Sequence, residues 1–189
     1  VYFVSAQEIF SSSFTLDDAT LFYGHGAYIF AGVDISRGIG DYNGDGYQDF
    51  LVRSKEAQGS TANRVAIVFG QNSFSAANDL GQANVILTNA ILDDAAPAGD
   101  LNADGFDDFL VSSPNSGYDT SQKKGVVQGY LGSSTNDGTT QDMGEATEFT
   151  IVGSPAQRLG TAMIAAGDVN GDGFDDVWLG TGTCVYSWQ

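Results

Sequence analysis

Three short stretches of this chain place oxygen-bearing side chains at a spacing that suits a metal ion. They read Gly-Asp-Tyr-Asn-Gly-Asp-Gly-Tyr-Gln-Asp, Gly-Asp-Leu-Asn-Ala-Asp-Gly-Phe-Asp-Asp and Gly-Asp-Val-Asn-Gly-Asp-Gly-Phe-Asp-Asp, beginning at Gly40, Gly99 and Gly167. Counted from the first Asp, oxygen donors fall at positions 1, 3, 5 and 9, and position 6 is Gly. A short loop wraps a hard cation in this way, because alternate side chains point inward and Gly permits the sharp turn. The sequence therefore predicts three calcium sites.

Apolar, strand-like runs flank each loop and would position the donor atoms. One run follows each loop at residues 50–52, 109–111 and 177–179, and a second follows a polar gap at residues 65–70 and 126–132. Runs leading into the loops lie at residues 32–39, 91–98 and 159–166, and more variable runs precede them at residues 28–30, 85–87 and 149–152. No segment has a sustained helical period. We therefore predict an all-β protein with repeats of four short strands, each loop connecting two strands.

The composition excludes several classes of function. The formal net charge is −17, whereas nucleic-acid binding and docking on anionic membranes need a basic surface. No transmembrane run is visible, so we expect no membrane insertion. The single cysteine, Cys184, cannot form an intramolecular disulfide. Low-affinity calcium loops fill outside cells, which favours a secreted or cell-surface location.

Two other interpretations of the loops are open. An EF-hand or dockerin loop needs an oxygen-bearing residue at position 12 and flanking helices, whereas position 12 here is Val52, Val111 or Leu179. These three residues read instead as core positions of the outgoing strand. Metal-free hairpins rich in Asp and Asn are the second alternative, although their clustered carboxylates would repel one another without a cation.

A catalytic set is not evident in the sequence. The one histidine, His25, lies in a Gly-rich turn and Cys184 in a strand-like stretch, so neither a triad nor a zinc site is indicated. No Ser has Gly at both −2 and +2, which excludes the nucleophile-elbow pattern. Asp34, Asp93 and Asp94 show no partner pattern for carboxylate catalysis. We therefore expect no enzymatic activity.

The order of strand, Gly-Asp-x-Asn-x-Asp-Gly-aromatic-x-Asp loop, apolar strand and aromatic-containing strand ending in Gly resembles the FG-GAP repeat. This repeat forms the blades of integrin alpha-subunit propellers and occurs in many bacterial secreted proteins. The third copy, from Leu159 to Thr181, is the closest match. The second copy has Ser-Ser-Pro at 112–114 where the family often has Gly-Ala-Pro, and the first has Arg-Ser-Lys at 53–55. The resemblance covers nearly the whole chain and implies β-propeller-type blades of four antiparallel strands.

The resemblance also implies which atoms hold the ions. The side-chain ligands would be Asp41, Asn43, Asp45 and Asp49; Asp100, Asn102, Asp104 and Asp108; and Asp168, Asn170, Asp172 and Asp176. The carbonyls of Tyr47, Phe106 and Phe174 at position 7 would complete each shell, with their rings packed in the core. At position 8, Asp107 and Asp175 would turn away from the ion, as outer-sphere or exposed carboxylates.

The spacing of the loops organises the chain into repeats. The first Asp falls at 41, 100 and 168, so the loops are 59 and 68 residues apart. We expect one module over residues 1–189, with repeats at approximately 5–70, 71–132 and 133–189 and with residues 1–4 as a strand from a preceding blade. A closed propeller has about four to eight blades. The chain would therefore be part of a longer propeller, or copies would assemble, for example by strand addition.

These features predict an extracellular module that serves in adhesion, as a scaffold or as an assembly unit, with three structural Ca²⁺ ions. Its partner would be a protein or a glycan, bound through variable loops. These loops lie at residues 54–62, 71–82, 112–125 and 133–144. Self-association through open blade edges is a further expectation. The alternative is an accessory or glycan-binding part of a secreted hydrolase or polysaccharide-active enzyme.

Overall fold

The computed structural model describes residues 1–4, 15, 17, 19–24, 29–56, 63–88, 93–116, 123–135 and 139–182. The strands in these residues are β1 (Tyr2–Phe3), β2 (Thr20–Tyr23), β3 (Ile29–Gly40), β4 (Asp49–Glu56), β5 (Asn63–Val68), β6 (Ala77–Asp79), β7 (Val85–Thr88), β8 (Asp94–Gly99), β9 (Asp108–Ser113), β10 (Val126–Tyr130), β11 (Thr139–Asp142), β12 (Phe149–Val152), β13 (Leu159–Gly167) and β14 (Asp176–Thr181). A 3-10 turn (Leu80–Gln82) and a short helix α1 (Met143–Ala146) are the helical elements described. Neither is long enough to cross a membrane.

The strands form blades that follow one plan. The first blade has the strand order β3-β4-β5-β7, the second has β8-β9-β10-β12, and the described part of the third is β13-β14. Neighbouring strands within each blade are antiparallel. Strand β8 contacts both β3 and β13, so the strands that enter the loops lie side by side. The predicted all-β fold with propeller-type blades is confirmed.

The sheets divide the chain at different places from the sequence repeats. The runs at 85–87 and 149–152, which sequence periodicity placed ahead of the next loop, pair with β5 and β10 and complete the preceding blade. The long polar stretch between β5 and β7 allows β7 to run antiparallel to β5. The run predicted at 28–30 is not a separate strand, because residues 29–40 form one strand with an irregularity between Ala31 and Ser36.

Two linkers expected to be exposed loops contain strands instead. Strand β6 lies parallel to β2, and β11 lies parallel to β7, so each linker adds a strand to the preceding sheet. The N-terminal sheet, β1-β2-β6, therefore repeats the pairing of β5-β7-β11. Helix α1 follows β11 and buries Met143, whose carbonyl accepts a hydrogen bond from the Tyr130 hydroxyl at 2.8 Å.

The hydrophobic core lies in layers between successive sheets. Phe22 and Leu80 pack on Val52 between the N-terminal sheet and the first blade. The layer between the first and second blades contains Ile39, Leu51, Ile67, Ala95 and Phe109. The layer between the second and third blades contains Ala98, Leu110, Val127, Met163 and Leu179. Position 12 is thus buried at Val52 and Val111 and partly buried at Leu179, as predicted.

Candidate metal centres in three loops

Each predicted loop connects the strand that enters a blade to the next strand. Loop 1 (residues 41–49) joins β3 to β4, loop 2 (residues 100–108) joins β8 to β9, and loop 3 (residues 168–176) joins β13 to β14. Flanking strands in place of helices, together with an apolar position 12, rule out the EF-hand interpretation. The structure therefore brings all three sets of predicted ligands into strand-connecting loops.

The carboxylate at position 1 closes each loop on its own backbone. In loop 1, Asp41 accepts hydrogen bonds from the amides of Asp45 at 2.9 Å and Gly46 at 2.8 Å. Asp100 makes the corresponding bonds at 3.0 and 2.8 Å, and Asp168 makes them at 3.1 and 2.9 Å. These amide bonds lower the pKa of Asp168, because they favour its ionised form. Asp168 is therefore held as a carboxylate anion.

The side chains at positions 3 and 5 complete the same turn. Asn43 Oδ1 accepts from the Asp45 amide at 3.0 Å, and Asp45 Oδ1 accepts from the Tyr47 amide at 2.9 Å. Loops 2 and 3 repeat both bonds. Position 6 has φ near +90° in every loop, at Gly46, Gly105 and Gly173, and this conformation favours glycine. Three oxygen-bearing side chains thus share one small turn, and the geometry is the same in all three loops.

The carboxylate at position 9 is buried in loops 1 and 2. Asp49 is 1% exposed and accepts from the amides of Gly70 at 2.7 Å and Tyr42 at 2.9 Å. Asp108 is 0% exposed and makes equivalent bonds with Gly132 and Leu101. Burial raises the pKa of both carboxyls to about 6, although the amide bonds work in the opposite direction. Ionisation of these two groups is therefore costly unless a cation lies nearby.

The protein itself supplies no cation to these loops within the described residues. The ion pair that the structure shows joins Arg37 to Asp94 at 3.0 Å, outside the loops. In the described part of the chain, no three His, Cys, Asp or Glu side chains meet in metal-ligating geometry. Each loop instead offers three carboxylates and an Asn oxygen, with position 9 turned to backbone amides. This all-oxygen donor set suits a hard cation such as Ca²⁺, with positions 1, 3 and 5 already in the turn.

The aromatic rings at position 7 differ from the sequence prediction. They were expected in the core, but Tyr47 is 41% and Phe174 is 45% exposed. The Phe106 ring packs beside Gly44 of loop 1. The rings leave the core because position 7 lies in the turn, before the outgoing strand enters the sheet. Whether their carbonyls bind a cation stays a prediction.

Position 8 shows a contact that sequence reasoning missed. Asp107 and Asp175 turn away from their own loops, as expected, but each side chain reaches the backbone of the preceding loop. Asp107 Oδ2 accepts from the Asp41 amide at 2.7 Å, and Asp175 Oδ2 accepts from the Asp100 amide at 3.0 Å. The presence of Asp at position 8 in loops 2 and 3 was the available signal, but nothing in the spacing identified its partner.

The residues considered for catalysis do not form a site in the described residues. His25 and Cys184 lie outside the described residues, and the structure describes no side chain for Asp34. Asp94 is paired with Arg37, and Asp93 donates its amide to the Ser112 carbonyl at 2.6 Å.

Comparisons with known proteins identify the repeat. Residues 94–131, which contain loop 2 and its flanking strands, match the model of the FG-GAP repeat. The chain is also 34% identical, over 86 residues, to integrin alpha pat-2 of Caenorhabditis briggsae. The aligned segment covers 45% of this chain and 7% of that relative, so the chain spans a small part of the relative's length. These matches confirm the resemblance inferred from the sequence.

Proposed function

We propose that this chain, which carries an FG-GAP repeat, is a calcium-stabilised propeller-type module that acts in adhesion, as a scaffold or in assembly, without enzymatic activity. The FG-GAP repeat and the similarity to an integrin alpha chain fit an adhesion or scaffold module. The similarity also supports an extracellular or cell-surface location. There, Ca²⁺ is abundant enough to fill loops of low affinity.

One observation carries the calcium proposal. Three loops that share the same hydrogen bonds at positions 1, 3 and 5 each carry three carboxylates, and none of these carboxylates pairs with a Lys or Arg among the described residues. Two of these carboxylates, Asp49 and Asp108, are buried, and their pKa is raised to about 6. A bound Ca²⁺ would offset the repulsion and hold each hairpin in place. Its role would be structural, because no catalytic set accompanies it in the described residues.

Metal removal tests this proposal. Three sites, each filled at about 100-fold above its Kd, would together contribute roughly 8 kcal/mol, so EDTA should lower the Tm by roughly 15–30 °C. Calorimetric titration should count three Ca²⁺ ions per chain. Asp168→Asn should reduce the count to two without disturbing packing, since Asp168 is exposed. An identical melting curve in excess EDTA would show that the loops fold as metal-free hairpins.

The same similarity supports a proposal about the partner. A relative with sequence similarity is an integrin alpha chain, and we propose that the ligand of this chain is a protein bound through its variable loops. None of the predicted cation ligands lies in these variable loops, so binding should depend on calcium only through the stability of the module. Pull-down with variants whose variable loops are exchanged, carried out with and without Ca²⁺, separates the dependence of binding on the loops from its dependence on calcium.

A groove beside loop 1 favours a second candidate, binding of a glycan. The groove has a volume of about 730 Å³, and its lining includes Tyr23, Tyr47, Phe74 and Asn78 together with further amide and carboxylate side chains. Tyr23 and Tyr47 are 44% and 41% exposed, and exposed rings beside hydrogen-bonding groups suit a sugar. A glycan array, followed by Tyr23→Ala, tests this candidate. It would also bear on an accessory role in a polysaccharide-active enzyme.

A further inference from the structure

The aspartates at position 8 of loops 2 and 3 bind the first residue of the preceding loop in two ways. The Asp41 amide donates to Asp107 Oδ2 at 2.7 Å, and the Asp107 amide donates to the Asp41 carbonyl at 3.0 Å. Asp175 makes the same two bonds with Asp100, both at 3.0 Å. Because each aspartate uses both its side chain and its backbone, it fixes the orientation of the partner peptide as well as its position.

The glycine before position 1 makes room for this contact. A Cβ on Gly40 would overlap the Asp107 side chain, and a Cβ on Gly99 would overlap that of Asp175. Both glycines also have positive φ, at +93° and +74°. Glycine thus meets two requirements here, an unusual backbone conformation and a close approach. The preceding loop is therefore shaped to receive the carboxylate.

The second blade holds loop 1 at neighbouring points as well. The Ser133 amide donates to the Tyr42 carbonyl at position 2, at 2.9 Å. The Phe106 ring lies against Gly44 at position 4. Loop 1 is consequently supported at positions 1, 2 and 4 by residues of the next repeat.

We infer that Asp107 and Asp175 are positioning residues that orient the first cation ligand of the preceding loop, so that the affinity of a loop depends on the blade that follows it. Asp41 is held by its backbone from the second blade, while its carboxylate accepts the amides of its own turn at 2.9 and 2.8 Å. Loss of Asp107 would free the peptide that carries this carboxylate. The inference rests on the cation binding proposed above and goes beyond it.

Loop 3 lacks this support in the described part of the chain. Asp168 is exposed, and a Cβ on Gly167 would meet no atom within 4 Å. Its amide has no partner among the described residues, whereas those of Asp41 and Asp100 do. Loop 3 should accordingly have the lowest cation affinity of the three.

The chain contains an optical reporter for loop 1. Position 7 is Tyr47 in loop 1 but Phe106 and Phe174 in loops 2 and 3. Tb³⁺ substitutes for Ca²⁺ at oxygen-rich sites, and its emission rises when a nearby tyrosine is excited. The part of the emission that is lost in Tyr47→Phe therefore comes from loop 1, and its dependence on Tb³⁺ concentration gives the Kd of loop 1 for Tb³⁺.

The test measures this Tyr47-dependent Kd in variants of position 8. Asp107→Ala should weaken binding about fivefold to tenfold, which is less than the full effect of losing one charge-assisted hydrogen bond, because the backbone bond from the Asp107 amide to the Asp41 carbonyl remains. Asp107→Asn keeps an acceptor oxygen and should restore most of the affinity, which separates positioning from simple loss of charge. Asp175→Ala, the matched control one blade along, should leave the Kd within about twofold, since its contact is with loop 2.

Three outcomes would overturn the inference. They are an unchanged Kd in Asp107→Ala, an equal effect of Asp175→Ala, or an Asn variant as weak as the Ala variant. If the unaltered protein shows no saturable emission, cation binding itself is wrong. Amide hydrogen exchange in metal-free protein then tests the contact alone: Asp107→Ala should speed exchange at Asp41 and Asp175→Ala at Asp100, and no change would show that the contacts position nothing.

Discussion

Loops 2 and 3 have nearly the same sequence but different surroundings. Both close on themselves with the same hydrogen bonds at positions 1, 3 and 5. Yet Asp108 is 0% exposed while Asp176 is half-buried, and at position 11 Leu110 is 1% exposed while Trp178 is 66% exposed. The third blade covers the second, whereas the corresponding face of the third remains open among the described residues. The turn is thus set by local sequence, whereas burial depends on packing: Gly132 of the same blade contacts Asp108, and the third blade covers Leu110.

The largest expected difference is at position 11. Leu110→Ala should destabilise the protein by about 4 kcal/mol, because it removes a buried side chain and leaves a cavity between the second and third blades. Trp178→Ala, at the equivalent exposed position, should change the free energy of unfolding by no more than about 0.5 kcal/mol. Urea unfolding measures both values. A large cost for Trp178→Ala would mean that another surface covers the third blade.

The pH dependence of the metal-free protein should reveal the buried acids. Burial raises the pKa of Asp108 from 3.8 to about 6 in the folded state. Its contribution to stability is therefore fully present below about pH 3.8 and is lost as the pH rises through about 6, by at most about 3 kcal/mol. Unfolding in EDTA at pH 4, 5, 6 and 7 should show this decline.

Two variants and one ion sharpen the pH experiment. Asp108→Asn should remove about half of the decline, because Asp49 has a pKa raised in the same way, while Asp176→Asn, which alters a half-buried carboxylate at the same position, should retain more of it. In saturating Ca²⁺, stability should instead rise with pH, because the ion stabilises the ionised carboxylates. If the stability of Asp108→Asn falls with pH as steeply as that of the unaltered protein, the decline comes from other groups.

The smallest expected difference is at the glycine before position 1. Gly99→Ala and Gly167→Ala both place a side chain at positive φ, +74° and +69°, at a cost of about 1 kcal/mol. Gly99→Ala also forces the new Cβ against Asp175, which should add about 1–2 kcal/mol. Thermal unfolding of the two variants gives the difference. Equal values would indicate that the Asp175 side chain moves aside freely.

Local spacing was enough to predict the loops and the strands that flank them. Gly46, Gly105 and Gly173 share one backbone conformation because the turn is determined by a few neighbouring residues. The apolar position 12 likewise predicted buried or partly buried residues at Val52, Val111 and Leu179. The FG-GAP assignment rests on these short-range patterns.

Long-range pairing could not be predicted from the same patterns. Strand β7 is as apolar as a strand that opens a repeat, and only the sheet shows that it closes the first blade. The identity of the partner of Asp107, 66 residues away, depends on how two blades stack. Period and composition describe each element alone, so they carry no information about which surfaces meet.

Strands β6 and β11 each pair with a strand that lies well before them in the sequence, and this matters while the chain is being synthesised. Strand β11 seals the edge of β7, but it can do so only after residues 139–142 have left the ribosome. Until then, the first blade exposes unpaired amides and carbonyls along β7, which is the kind of edge that recruits other chains. A pause in synthesis that leaves β7 outside the ribosome and residues 139–142 still inside it should therefore favour aggregation of the nascent chain.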